Sequence, residues 1–200
     1  STKAINPAVR GEIVHKFCEL YRTGVNSEKL LKNIVQSFGI MPTEELAQEL
    51  SPYIHNYIEN YSENYDKIYS EKKFYYNLHS GIVYGIVDRI YISGNNIEIM
   101  DFKTNKVKDK NLLIKKYSPQ IQLYTKVCEN LYGLKVNRAS LFLLETGEIV
   151  DIDISDEVLN ENLKDIENFM KFVCLNSDIK QYERGKICNS YCNFNVICNE

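Results

Sequence analysis

The stretch that decides the fold is Tyr84–Lys106, YGIVDRIYISGNNIEIMDFKTNK. Two apolar, β-branched runs flank Ser93-Gly94-Asn95-Asn96. Gly and Asn supply the backbone angles that a tight reversal needs, so the segment predicts a β-hairpin. With those four residues as an unpaired turn, Ile92 faces Ile97. Counting back along both strands then brings Asp88 opposite Asp101. Directly opposed residues on one sheet face have Cβ atoms roughly 4.5–5.5 Å apart. Lys103, two residues past Asp101, points to the same face. Two carboxylates that close repel each other unless a cation lies between them. Such a cluster is costly for a scaffold and useful to a hydrolase. A hard cation such as Mg²⁺ binds a few carboxylates and keeps water or phosphate oxygens as its other ligands. The plain alternative is a pair of solvated strand-end charges.

On the N-terminal side, Pro7–Arg22 reads as a helix with proline near its start. Val9, Ile13, Val14, Phe17, Leu20 and Tyr21 share one apolar face. His15 falls off that face, on the side of Gly11 and Cys18, and a glycine one turn away leaves room for another backbone or a ligand near the imidazole. A lone helical histidine is more often structural or exposed. Ser27–Gly39 predicts a second helix closed by Gly39. Pro42 opens a third, to about Leu50, and Pro52 a fourth. Tyr53, Tyr57, Tyr61 and Tyr65 recur every four residues, a spacing that favours an inward packing stripe over a platform for bases. His55 lies off this row. Ile68–Leu78 reads as a strand, and its Glu71 is an extra acid that nothing in the spacing requires of a site.

On the C-terminal side, Lys103–Lys116 holds Lys103, Lys106, Lys108, Lys110, Lys115 and Lys116 against a single acid, Asp109. Lysine runs are usually solvated loops, but this one follows the carboxylate pair, where a phosphate backbone could meet it. Tyr117–Gly133 predicts a helix with Ser118 as N-cap, Pro119 at its first position and Gly133 as C-cap. Gln120 and Tyr124 share a face of it. Arg138–Glu145 and Glu148–Ile154 predict a second hairpin turning at Thr146-Gly147, and Asn160–Leu175 a closing helix. The pattern is α/β: helices, a mixed sheet, a crossover helix, then more strands and a helix. We expect one domain over residues 1–200, with a helical part (1–66), an α/β catalytic core (67–175) and a cysteine-containing tail (176–200).

Length and composition bound the reading. Two hundred residues suit one domain with a real core. The net charge of −3 argues mildly against a duplex binder, although the lysines are concentrated beside the candidate site. No apolar run is long enough to span a membrane, and there is no signal-peptide pattern, so a cytoplasmic protein without a membrane partner is expected. The chain begins at Ser1 rather than methionine, as a fragment would.

Four motifs now stand in order: Gly11-x-x-x-His15, Gly85-Ile-Val-Asp88-Arg89, Asp101-Phe-Lys103-Thr104 and Tyr117-x-x-Gln120-x-x-x-Tyr124. Each alone is weak, and together, at this spacing, they are specific. The chain resembles the RecB-type branch of the PD-(D/E)XK nuclease superfamily, as found at the C-terminus of RecB and AddA helicase–nucleases. The resemblance covers about residues 10 to 155, with Leu134–Asp153 similar to the last core strands of the family. It implies a restriction-endonuclease-like core and a DNA exonuclease dependent on Mg²⁺ or Mn²⁺. By resemblance, His15, Asp88, Asp101 and the backbone carbonyl of Phe102 would bind the metal. Lys103 would be the catalytic lysine, beside Asp88 and Asp101. Gln120 and Tyr124, with Tyr117 and Lys106 nearby, would be accessory DNA-binding residues. Val87 stands where the superfamily name has proline, as is usual in this branch. The implied partners are DNA, a partner subunit and a helicase region in the same polypeptide, and the implied process is DNA-end processing for recombination and repair. A catalytically silent DNA-binding scaffold of the same fold is the alternative.

Six cysteines without a secretory signal suggest thiols or metal rather than disulfides. Cys188-x3-Cys192-x5-Cys198 resembles the C-terminal cysteine triplet of iron–sulfur relatives such as AddB and the CRISPR adaptation nucleases. A [4Fe–4S] cluster needs four ligands, and those relatives carry the fourth upstream of the histidine motif. Cys18 looks badly placed for that role, and Cys174 is another candidate. Structural zinc and no metal at all stay open beside the cluster.

Overall fold

The computed structural model describes residues 5–106, 109–178 and 181–182. Three helices come first: α1 (Pro7–Leu20), α2 (Ser27–Ser37) and α3 (Glu44–Glu59). A meander of β1 (Lys67–Leu78), β2 (Gly81–Ser93) and β3 (Asn96–Lys103) follows. Then come α4 (Lys110–Tyr132), β4 (Val136–Leu143), β5 (Glu148–Asp151) and α5 (Asp156–Leu175). Each of the first four helices starts on a side-chain cap. Asn6, Asn26, Thr43 and Asp109 accept from the amides of Ala8, Lys29, Leu46 and Leu112. These contacts satisfy donors that a helix start otherwise leaves open.

The sheet order is β1-β2-β3-β4-β5. β3 and β4 pair in parallel, with α4 as the crossover, and the other pairs are antiparallel. The result is a mixed five-stranded sheet with helices on both faces. One core lies between the sheet and α4, built on Ile90, Ile99, Ile121, Val127 and Leu141. The other lies between the sheet and α1–α3, built on Ile13, Phe17, Tyr57, Phe102 and Phe142. Among the described residues, no helix is long and apolar enough to cross a membrane.

Three local expectations are corrected. The reversal after β2 leaves only Gly94 and Asn95 unpaired, since Ser93 pairs with Asn96; the register with Ile92 opposite Ile97 is the expected one. Pro52 does not begin a helix but sits inside α3. An interior proline costs about 3 kcal/mol, whereas burying Leu50 and Ile54 returns ~1.5–3 kcal/mol each, with Tyr53 and Tyr57 adding further area, so packing wins. Tyr53 and Tyr57 do point inward, while Tyr61 and Tyr65 lie beyond the helix end. The crossover helix likewise starts at Lys110, not at Ser118. Asp109 is its cap, and the Ser118 hydroxyl instead donates to Ile114 O. Gly133 closes it in the left-handed conformation, as expected.

The β1–β2 hairpin carries an irregularity that matters for the site. Tyr69 packs toward α4, and so do Phe74 and Tyr76. On β2, Val83 and Val87 face that core, and then Ile90 and Ile92. Strict alternation would keep all such residues at one parity. The phase therefore slips once on each strand, between Tyr69 and Phe74 and between Val87 and Ile90. The pairing Ser70–Arg89 and Lys72–Val87 brackets both slips, so they fall on the same cross-strand pair, Glu71 and Asp88. Glu71 has φ 50°, a strained value for a residue with a Cβ.

Candidate active site

The double slip turns two carboxylates toward α1. Asp88 Oδ1 lies 3.6 Å from His15 Nδ1, and Glu71 Oε1 lies 3.9 Å from the same nitrogen. One ligand atom from each of His15, Glu71 and Asp88 falls within 4.8 Å of the others. The other oxygen of Asp88 accepts the Phe102 amide at 2.7 Å. The β2–β3 ladder ends at the pair Arg89–Met100. The Asp88 side chain thus takes the place of the next rung, and the sheet opens there. Asp88 and Asp101 are at the same level, as the turn implies, without closing a backbone pair.

Asp101 keeps the regular alternation of β3 and is almost wholly buried. Lys103 Nζ sits 2.6 Å from its Oδ2, an ion pair without good hydrogen-bond alignment. Gln120 of α4 accepts from Lys103 at 3.2 Å and donates to the Tyr124 hydroxyl at 2.6 Å. The Tyr117 ring lies under the ammonium at 3.9 Å, and its hydroxyl donates to Asn105. The expected accessory residues Tyr117, Gln120 and Tyr124 therefore all lie in one chain of contacts ending on Asp101. Lys106 is exposed on the segment that follows β3. Lys110 lies in α4 and pairs with Glu148. His55, off the tyrosine row, pairs with Glu59 on the surface.

The electrostatics follow from this crowding. Burial works against charge on His15, but the carboxylates of Asp88 and Glu71 outweigh it and push the imidazole up to about 10. Burial, then the negative charge of Asp88, raises the carboxyl of Asp101, and Lys103 offsets part of this. Burial pushes the Tyr124 phenol up to about 12. Gly11 brings α1 close to the end of β3: a Cβ there would lie 3.3 Å from Thr104 Oγ1. The same helix carries His15 to the carboxylates.

Sequence reading underweights two residues. Glu71 is only an extra acid there, yet it stands across from Asp88. Counting from the Leu78–Gly81 end of the β1–β2 hairpin would find it. Arg89 enters only as part of a motif. Its buried guanidinium donates to Cys18 O at 2.6 Å and to the Tyr57 hydroxyl at 2.7 Å. Tyr57, Tyr61, Tyr91 and Phe102 surround it with ring centroids at 5.7–6.0 Å. It ties α1, α3 and β2 together directly beneath the site. Cys18 is buried at this junction and Cys174 is exposed on α5. Cys188, Cys192 and Cys198 lie outside the described residues.

The chain is 35% identical over 88 residues to an ATP-dependent helicase/nuclease subunit of Clostridium acetobutylicum, covering 43% of this chain and 7% of that one. It is 28% identical over 130 residues to the corresponding subunit of Clostridioides difficile, covering 63% and 10%. The matches thus span a tenth or less of those relatives' length. Among solved structures, a candidate exonuclease from Eubacterium rectale superposes with a TM-score of 0.58 at 14% identity, over 98% of this chain and 80% of that one, a likeness of fold. The family model of the PD-(D/E)XK nuclease superfamily matches residues 1–199, and the chain belongs to that superfamily.

Proposed function

We propose that the chain is a metal-dependent deoxyribonuclease domain, an exonuclease that hydrolyses phosphodiester bonds as DNA ends are processed for recombination and repair. The observation that carries this reading is the convergence of His15, Glu71 and Asp88 beside the Asp101–Lys103 pair. Two carboxylate oxygens and an imidazole nitrogen within reach of one point are a donor set suited to Mg²⁺ or Mn²⁺. His15 and Asp88 would hold the ion, with Glu71 beside them and Asp101 and the Phe102 carbonyl completing the set. A bound ion would supply an acidified water and polarise the scissile phosphate.

The chain's own groups do the rest. Lys103 neutralises charge that develops on the phosphate, or orients the attacking water. Gln120 fixes the lysine, Tyr124 fixes the glutamine, and the Tyr117 ring limits the directions open to the ammonium. Lys106 meets the phosphate backbone. The relatives are helicase/nuclease subunits, which supports a helicase region in the same longer polypeptide and a partner subunit. A [4Fe–4S] cluster, for which Cys188, Cys192 and Cys198 would be the candidate ligands with a fourth from elsewhere, would belong to that longer protein. The single-domain division into a helical part, a catalytic core and a cysteine tail is part of the same proposal.

The test is digestion of linear DNA with and without divalent metal, alongside calorimetric titration of Mn²⁺. Wild type should cut only with metal, and Asp88→Ala should neither bind Mn²⁺ nor cut. Equal Mn²⁺ binding by the two proteins would sink the site. Metal and DNA binding without cleavage would leave the silent scaffold.

A further inference from the structure

Beyond the slip, the hairpin runs on as a two-stranded arm whose one face is bare among the described residues. Alternation puts Glu71, Lys73, Tyr75 and Asn77 on one face of β1. The register puts Ile86 opposite Lys73, Tyr84 opposite Tyr75, and Ile82 opposite Asn77. The other face is covered: Phe74, Tyr76 and Val83 pack into the α4 core. On the bare face, Tyr75 is 76% exposed and Tyr84 50% exposed. Their ring centroids are 5.1 Å apart and tilted by 40°. Two large rings held side by side in solvent make a surface that apolar, flat ligands would cover. Lys73, also exposed, stands between the rings and the carboxylates.

The geometry points to this arm as a stacking platform for the unpaired bases of a single DNA strand whose phosphate lies at the carboxylates. The proposal rests on the nuclease reading and names the form of its substrate. Three observations select a single strand as the occupant. The rings and the candidate ligands lie on one continuous strand face. Four residues of strand separate Glu71 from Tyr75, about 13 Å at ~3.3 Å per residue. That is about four stacked nucleotides at ~3.4 Å each, and fewer for a stretched chain. Lys73 supplies positive charge along the way, where the intervening phosphates would run. In a duplex the base faces are already stacked, so the two rings gain nothing from it; in a single strand every base has a free face.

Fluorescence anisotropy tests this with the 200-residue chain, Ca²⁺ in place of Mg²⁺ to hold back cleavage, and three labelled probes: an oligothymidylate, an abasic strand of equal length and a blunt duplex. Tyr75→Ala and Tyr84→Ala should each weaken oligothymidylate binding on the order of tenfold, the scale of one lost base stack. Tyr75→Phe and Tyr84→Phe should restore it, because the ring and not the hydroxyl does the stacking. On the abasic strand and the duplex, wild type and the alanine variants should bind alike. Melting curves check that the variants remain folded. Unchanged oligothymidylate affinity in the double alanine variant would overturn the platform while leaving the nuclease reading intact. So would an equal loss on the abasic strand, which would make the rings a general wall of the groove. If wild type self-associates and the double variant is a monomer with unaltered DNA affinity, the face belongs to a second copy of the chain. A wild type that neither binds nor cuts any DNA would sink both the platform and the nuclease reading.

Discussion

His15 keeps its proton to unusually high pH in the metal-free protein, because two carboxylates face it. A metal ion accepts only the neutral imidazole, so binding must expel that proton. The apparent affinity for Mn²⁺ should therefore rise with pH, up to about 10. Titrations between about pH 6.5 and 8.5, in buffers of different ionisation heat, should show tightening and the release of roughly one proton per ion. A flat affinity would remove His15 from the ligand set. The same shift has a stability sign in the absence of metal. The folded pKa lies above the unfolded one, so the contribution is fully present below ~6.5 and is lost as pH rises through about 10. The role proposed for Lys103 is a different case, because it would act on charge that appears only in the transition state. Lys103→Ala should lower cleavage roughly 10²- to 10³-fold while metal and DNA affinity hold. A parallel collapse of DNA affinity would reduce it to a phosphate anchor.

At the scale of elements, the hairpin depends on glycine at one point of close contact. A Cβ on Gly85 would lie 2.5 and 2.7 Å from two ring carbons of Phe74, which packs edge-on against Tyr124. Gly85→Ala should cost about 1–3 kcal/mol, read from urea unfolding, and Phe74→Leu should recover part of it. An unchanged midpoint would mean that the ring moves aside freely. Gly85 opens the second of the four motifs, so what the sequence shows as a pattern is in part a packing requirement. The register of β2 against β3 is legible from the turn alone, because Gly94 and the apolar runs around it admit one alignment. The order of helices, hairpins and crossover is legible for the same reason. The unbroken α3 is not, because Pro52 is a local signal that is overruled by burial of Leu50, Tyr53, Ile54 and Tyr57. The convergence of His15 on Asp88 is available only through the family likeness. Glu71 is legible only by counting from the Leu78–Gly81 turn of the other hairpin, because the register of β2 against β3 says nothing about β1.

Across the whole molecule, Arg89 joins layers through a guanidinium that is wholly buried. It reaches from the sheet to the carbonyl at Cys18 on α1 and to Tyr57 on α3. Arg89→Met should lower stability by roughly 3 kcal/mol, since two acceptors lose a charged donor. It should also weaken Mn²⁺ binding, although Arg89 is not among the proposed ligands, because α1 carries His15. Arg89→Lys should recover part of both. Chemical denaturation and Mn²⁺ titration of the three proteins check this; an Arg89→Met protein indistinguishable from wild type would make the arginine a bystander. The paired slip of β1 and β2 has a consequence of another kind. Glu71 and Asp88 behave as one extra rung let into an otherwise regular ladder. Removing both residues would close the ladder on Ser70–Arg89 and Lys72–Val87 and leave each remaining side chain on its present face. The double deletion should melt near wild type, while either single deletion, which leaves an unmatched residue, should melt lower. If the double deletion unfolds, the rung is structural. Otherwise, a lineage carrying this chain could shed the Glu71–Asp88 carboxylate pair in one matched excision and inherit the architecture whole.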